Sequence, residues 1–384
     1  MHGPYQPCTF LSAVVRYIDS EVDYLMNVEP GGLEKASQAI AVSSARPSIG
    51  NRAATMFSRY KEASVAVVAV LLVIYFQIGS NGGFLTTQLM SVVLRDTGRL
   101  GMISVAEVML MITGEIDLSL SSTFSLAPYL MVLMSVTWGL PLFVGAIIGI
   151  LLGVAIGFIN GFITVRMRIP SLITTVGTLF LLQGITVSIY DSQPIVAPIE
   201  EPFNAIFGES LYGPNDSLFS LHGLTAFSPF LWALLVVLAL AVVLTKTRFG
   251  LHTVATGSNI TGSREIGIRT DWIKIYNFMI AGGIAALAGI INTAEFSSAD
   301  PTAGSPFLTL QAIAAAVIGG TSLLGGSGTA VGSLIGAFVV ASLNNGLVML
   351  GAQATTSDIY LGGAIIGAMI LNVQVDRLRT RRRK

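Results

Sequence analysis

The chain has 384 residues, 53% of them hydrophobic and only 11% charged, with 41 glycines, no formal net charge and a mean hydropathy of +0.75. Soluble domains carry about 25% charged residues, so the composition excludes a soluble globular protein and predicts an all-α polytopic membrane protein whose glycines allow close helix packing. Zero net charge gives no electrostatic case for nucleic acid as a partner, and the single cysteine, Cys8, excludes an intrachain disulfide framework or a cysteine-rich metal site.

Residues 1–62 read as a polar cytoplasmic extension. Its start is not a signal peptide, because Arg16 and Asp19 interrupt the only apolar run. Leu11, Val14, Val15, Ile18, Val22 and Leu25 recur at helical spacing and predict an amphipathic helix, whose polar face carries Asp19, Glu21 and Asp23. From 63 to 374 the chain reads as a transmembrane domain. Apolar segments able to span about 30 Å lie near 63–79, 85–98, 100–113, 119–138, 141–165, 170–190, 229–245, 272–294, 307–321, 329–350 and 357–374.

Loop charge gives the orientation. Arg46, Arg52, Arg59 and Lys61 close the extension, and Arg166 and Arg168 follow the fifth apolar segment. Lys246, Arg248, Arg264, Arg269 and Lys274 mark a loop over 247–271, and a basic tail fills 375–384. The positive-inside rule puts all four in the cytoplasm, with both termini. The loop 191–228 has Asp191, Glu200, Glu201, Glu209 and Asp216 and no Lys or Arg; 295–306 has Glu295 and Asp300 and no basic residue. Both belong outside.

Parity then requires an even number of crossings between the extension and Arg166, where five apolar segments lie. The joint is expected at "GEIDLSLSS", 114–122, as a discontinuous helix with Gly114 in the break and Asp117 capping the half-helix after it. About ten crossings result. "VIGGTSLLGGSG", 317–328, is either a comparable break or a Gly-rich tight turn.

Polar groups inside apolar segments are the candidates for a substrate pathway, because a carboxylate in hydrocarbon costs about 2.5–3.5 kcal/mol. Glu107, Met111 and Glu115 are four apart and share a broad helix face. Glu107 either faces a cavity or pairs with Arg95, Arg99 or a helix end. Asn344 and Asn345 need partners, from substrate or from a neighbouring helix. Gln183, Thr175 and Thr178 are polar positions on another segment, and Asn160, beside Gly157 and Gly161, reads as a packing residue.

No enzymatic chemistry is legible. His2, His222 and His252 are scattered, so no metal site is expected, and no cofactor is implied. "GSNITGSR", 257–264, has Ser263–Arg264 where a phosphate loop needs Lys then Ser or Thr. It reads as a helix start capped by Asn259 or Thr261. Any ATP that powers the protein is bound by another subunit.

"GEIDLSLSS", "IPSLITTVGTLFLLQGI", "FGLHTVATGSNITGSREIGIRTDWIKI", "DPTAG", "AIAAAVIGGTSLLGGSGTAVGSLIGA" and "LNNGL" occur in that order. From about residue 63 to the end, the chain resembles the permease subunits of ABC importers of the ribose/xylose/simple-sugar class. The resemblance implies a multi-pass protein of the bacterial inner membrane that imports a monosaccharide or related polyol. It implies two permease subunits forming the pore, a homodimer; a partner ATPase with tandem nucleotide-binding domains; and a periplasmic sugar-binding protein. It also implies a coupling helix in 247–271 that docks on the ATPase, which here matches Asn259, Thr261, Ser263, Arg264 and Glu265. The chain departs from the family where Gly is usual at Glu115 and near Glu107. It has Thr309 and Gln311 where acidic residues usually precede "AIAA". Two alternatives stand beside this reading: a self-sufficient proton-coupled carrier using Glu107 and Glu115, and a permease of the same architecture for a non-sugar solute.

Overall fold

The computed structural model describes residues 61–200, 202–208 and 228–351, with 359–360, 362–363 and 366–367. The expected amphipathic helix, residues 209–227, most of the last apolar segment and the basic tail lie outside these residues.

The described chain is almost wholly helical: α1 (Lys61–Gly79), α2 (Thr87–Ile112), α3 (Leu120–Trp138), α4 (Leu142–Arg166), α5 (Ser171–Ser188), a short α6 (Phe203–Phe207), α7 (Ser228–Lys246), α8 (Arg248–Ser258), α9 (Ile260–Glu265), α10 (Thr270–Phe296), α11 (Pro306–Ile318) and α12 (Ala330–Met349). Seven of them, α1, α3, α4, α5, α7, α10 and α12, are long and apolar enough to cross a membrane. The protein is an all-α, multi-pass membrane protein. α2 is longer than most of these but carries Arg95, Asp96, Arg99 and Glu107.

Segments 85–98 and 100–113 form a single continuous helix, α2, so the five apolar segments before Arg166 fold as four helices without a joint at 114–122. Gly98 is there for packing: a Cβ would stand 2.5 Å from the Pro229 carbonyl carbon at the start of α7. Arg99 is neutralised by Asp96 one turn back, at 2.9 Å. Gly114–Ser119 is instead an irregular turn between two full helices. Gly114 takes φ +80°, which ends α2.

Helices in lipid gain little from hydrophobic burial and associate through close contact of small residues. α4 repeats Gly145, Gly149, Gly153, Gly157 and Gly161 at every fourth position, on one face. A Cβ at Gly153 would lie 2.4 Å from the Gly282 oxygen of α10, and one at Gly157 would lie 2.1 Å from the Phe278 oxygen. α4 and α10 therefore meet backbone to backbone, whereas Gly145 and Gly149 admit Met131 and Ala127 of α3. Around this pair, Ile103 and Leu110 of α2, Leu120 and Phe124 of α3, Ala312 and Ala315 of α11 and Val340 of α12 fill a common core.

α11 has 13 residues, a length of about 20 Å against a hydrocarbon thickness of about 30 Å. Its N-terminus docks on the first turns of α3. The Gly304 amide donates to Ser125 Oγ at 2.6 Å, and the Ser121 amide donates to Thr309 Oγ1 at 3.1 Å. The segment before α11 thus folds back between helices, and the discontinuity of the second half lies at 297–305. Residues 319–329 form the Gly-rich tight turn between α11 and α12.

Candidate functional site: two ends of opposite charge

The two loops read as external lie at one end of the bundle. Strands β1 (Ile195–Val196) and β2 (Ser298–Ala299) pair antiparallel, Ile195 opposite Ala299 and Val196 opposite Ser298. The buried Tyr129 hydroxyl lies within hydrogen-bonding distance of the Ile189 and Gln193 carbonyls at the same end. Arg95 of α2 pairs there with Glu295 of α10. The Asn345 amide donates to Asp96 at 2.9 Å, so Asn345 joins α12 to α2.

The basic loops gather at the opposite end. The Ile116 amide donates to Ser171 Oγ, next to the Arg166–Arg168 corner, at 3.3 Å. The Gly326 amide donates to the Ile112 carbonyl at 2.8 Å. The Ser258 hydroxyl donates to the Gly326 carbonyl at 3.4 Å. A Cβ at Gly257 would lie 1.7 Å from the Ile112 oxygen, so the end of α8, the end of α2 and the turn before α12 touch through bare backbone.

Asn259 is the cap of α9, and its side chain accepts from the Gly262 amide at 2.9 Å. Thr261 and Glu265 face solvent, and Ser263 is buried. Arg264 is not a free charge: it donates to Thr270 Oγ1 at 2.9 Å and to Asp271 at 2.7 Å, clipping α9 to the start of α10. Beside it lies an open cleft of ≈ 670 Å³, lined by His252, Ile266, Arg269, Trp272 and Tyr276.

Glu115 finds its partner in Lys274 of α10, with side chains 12% and 16% exposed. Asp117 does not sit at the N-cap of α3, which is Ser119. It lies two residues earlier and forms a turn, accepting from the Ser119 amide at 2.8 Å and the Ser119 hydroxyl at 2.6 Å. Asn160 donates to Ser119 Oγ at 2.8 Å and reaches Asp117 at 3.4 Å, and Thr178 donates to Asn160 at 2.6 Å. The Leu118 amide donates to Thr175 Oγ1 at 3.2 Å. The turn's polar groups are thus satisfied by α4 and α5.

Glu107 does not pair with Arg95 or Arg99, which are engaged with Glu295 and Asp96. It is fully buried beside Asp117. Gln183 and Asn344 are half-buried on α5 and α12. The candidate pathway residues are therefore not one cluster within a chain. Asp96, which holds Asn345, is separated from Ile112, next to the Glu115 turn, by 16 residues of α2, about 24 Å. The sequence reading missed Lys274, Ser119 and the structural weight of Asn160. A buried amide among glycines, which must find a partner, was the available signal.

Residues 89–373 match the family model described as branched-chain amino acid transport system / permease component. The chain is 34% identical over 316 residues to the xylose/arabinose import permease protein XylH of Sulfolobus acidocaldarius, covering 81% of this chain and 83% of that protein. It is 33% identical over 310 residues to the autoinducer 2 import system permease protein LsrC of Photorhabdus laumondii, covering 80% and 88%. LsrC of Salmonella typhimurium is 30% identical over 320 residues. No solved structure matches the chain.

Proposed function

The chain belongs to the branched-chain amino acid transport system / permease component family, and on that premise we propose that it moves a monosaccharide or related polyol inward, driven by ATP hydrolysed on a separate subunit. It is an ABC importer permease for a sugar-like substrate and is not itself an enzyme. The observation that carries the reading is the 34% identity to a xylose/arabinose import permease over most of both chains. The self-sufficient proton-coupled alternative falls, because the relatives are permeases of import systems and Glu115 is already engaged by Lys274.

About ten crossings, with both termini cytoplasmic, sit in the inner membrane of a bacterium. The extension, the transmembrane domain and the basic tail keep the boundaries 1–62, 63–374 and 375–384. Two copies form the pore, so that Gln183, Asn344 and Glu107 act, if they meet solute, in a pathway built between chains. The ATPase docks on 247–271 through Asn259, Thr261, Arg264 and Glu265, with Ser263 holding the loop from inside. Arg264, bound to Asp271, passes its motion to α10. The sugar-binding protein docks at the opposite end, on the paired outer loops.

The 33% identity to an autoinducer 2 permease favours a second reading, the same machine carrying that kind of solute. Reconstituted vesicles test both. Uptake of a labelled sugar panel and of autoinducer 2 should require ATP, the ATPase and the binding protein together. Uptake by this chain alone on a proton gradient overturns the proposal. Arg264→Glu should abolish ATP-driven uptake while the chain stays folded and inserted.

A further inference from the structure

At the basic end, α9 is not the only projecting feature. Gly320, Gly325 and Gly326 take φ of +91°, +86° and +77° between α11 and α12. These backbone angles permit a closed turn. The Ser322 amide donates to the Ser327 carbonyl at 2.9 Å, the Gly325 amide to the Ser322 carbonyl at 3.3 Å and the Leu324 amide to Ser322 Oγ at 3.2 Å. The turn is anchored by Gly326 to Ile112 and to Ser258. Ser258 is the last residue of α8, and Asn259 caps α9, so the turn and the coupling helix share one support. At its tip Leu323 is 40% exposed and Leu324 94% exposed among the described residues.

A floppy loop would fold such a leucine inward, whereas this turn is held with Leu324 pointing away. The bilayer fits poorly as its cover. The turn's support Ser258 lies in the loop that carries Lys246, Arg248, Arg264 and Arg269, the basic end that the positive-inside rule puts in the cytoplasm. The turn also has no Lys, Arg, Trp or Tyr over 319–329 to anchor it among headgroups.

We propose that Leu324, at the tip of the 319–329 turn, is a second docking point for the ATP-binding subunit, an apolar knob entering an apolar socket beside the one for α9. This rests on the coupling reading above. It also gives the ATPase a direct hold on α2, because load on the turn reaches Ile112 through Gly326 and so the segment that bears Glu115.

The test uses Leu324→Cys and Glu265→Cys in a Cys8→Ser background, which removes the only native cysteine. Each is co-expressed with the ATP-binding subunit of its import system, or without it, and labelled in inside-out vesicles by a membrane-impermeant maleimide. Leu324→Cys should label freely alone and about tenfold more slowly in the complex, the scale of one interface anchor. Leu324→Asp should lower ATP-driven uptake comparably at unchanged permease content, and Leu324→Met should not. Equal labelling with and without the subunit overturns the proposal. So does protection in both states, which would place Leu324 in lipid or under another part of this chain. If Glu265→Cys is protected and Leu324→Cys is not, the coupling reading survives and this inference fails. If neither is protected, the coupling reading itself fails.

Discussion

The Glu115–Lys274 pair is the most informative single contact to break. It ties the turn after α2 to the fifth residue of α10, 159 positions away, with both side chains largely enclosed. Removing one partner of a fully buried pair costs about 3–5 kcal/mol, because the other charge is left in a poor solvent. Here the side chains keep 12% and 16% of their exposure, and a lysine stem can redirect its ammonium towards water, so about 2–3 kcal/mol is expected for Glu115→Gln or Lys274→Met alone. The double variant Glu115→Gln/Lys274→Met leaves no charge and should recover to within about 1 kcal/mol of the parent. Thermal unfolding of the purified protein in one detergent, with all four chains side by side, reads the cycle. Uptake with the sugar panel then asks whether the double variant keeps the parent's solute preference, as it should if the carboxylate serves Lys274. Single variants within about 0.5 kcal/mol of the parent would refute the reasoning, and so would a double variant as unstable as the two singles summed.

Asp117→Ala orphans the buried Ser119 amide and should cost about 1–3 kcal/mol, lowering the midpoint of thermal unfolding, whereas Asp117→Asn keeps an acceptor there and should lose less; equal losses would show that the turn does not depend on that oxygen. Gly257→Ala places a Cβ 1.7 Å from the Ile112 oxygen and 2.8 Å from the Gly326 nitrogen, which bond each other; it should reduce ATP-driven uptake at normal membrane content, and unchanged uptake would mean that the junction is slack. A topology reporter fused after Asp216 should read outside, and fusions after Arg168, Ser258 and Lys384 should read inside; position 168 reading outside would break the four-helix count before it.

The sequence alone determined the all-α membrane class, the charge asymmetry of the two ends and a helix start capped by Asn259 or Thr261, of which the structure uses Asn259. These depend on local quantities: apolar run length, the sign of nearby charges, and a side chain three residues from the amide it accepts. Only the tertiary structure decided how the ends are tied. Gly98 and Arg99 read as a boundary until Pro229 and Asp96 supplied the contacts that keep α2 continuous. Asp117 read as a cap until Ser119 and Asn160 made it the centre of a buried turn. Glu115 looked unpartnered because Lys274 is far along the chain, and Asn345 was ambiguous because Asp96 is 249 residues away. Which distant helix presents which side chain depends on the register and rotation of packed helices. That register is fixed by backbone contacts such as Gly153–Gly282, which a one-dimensional pattern does not encode.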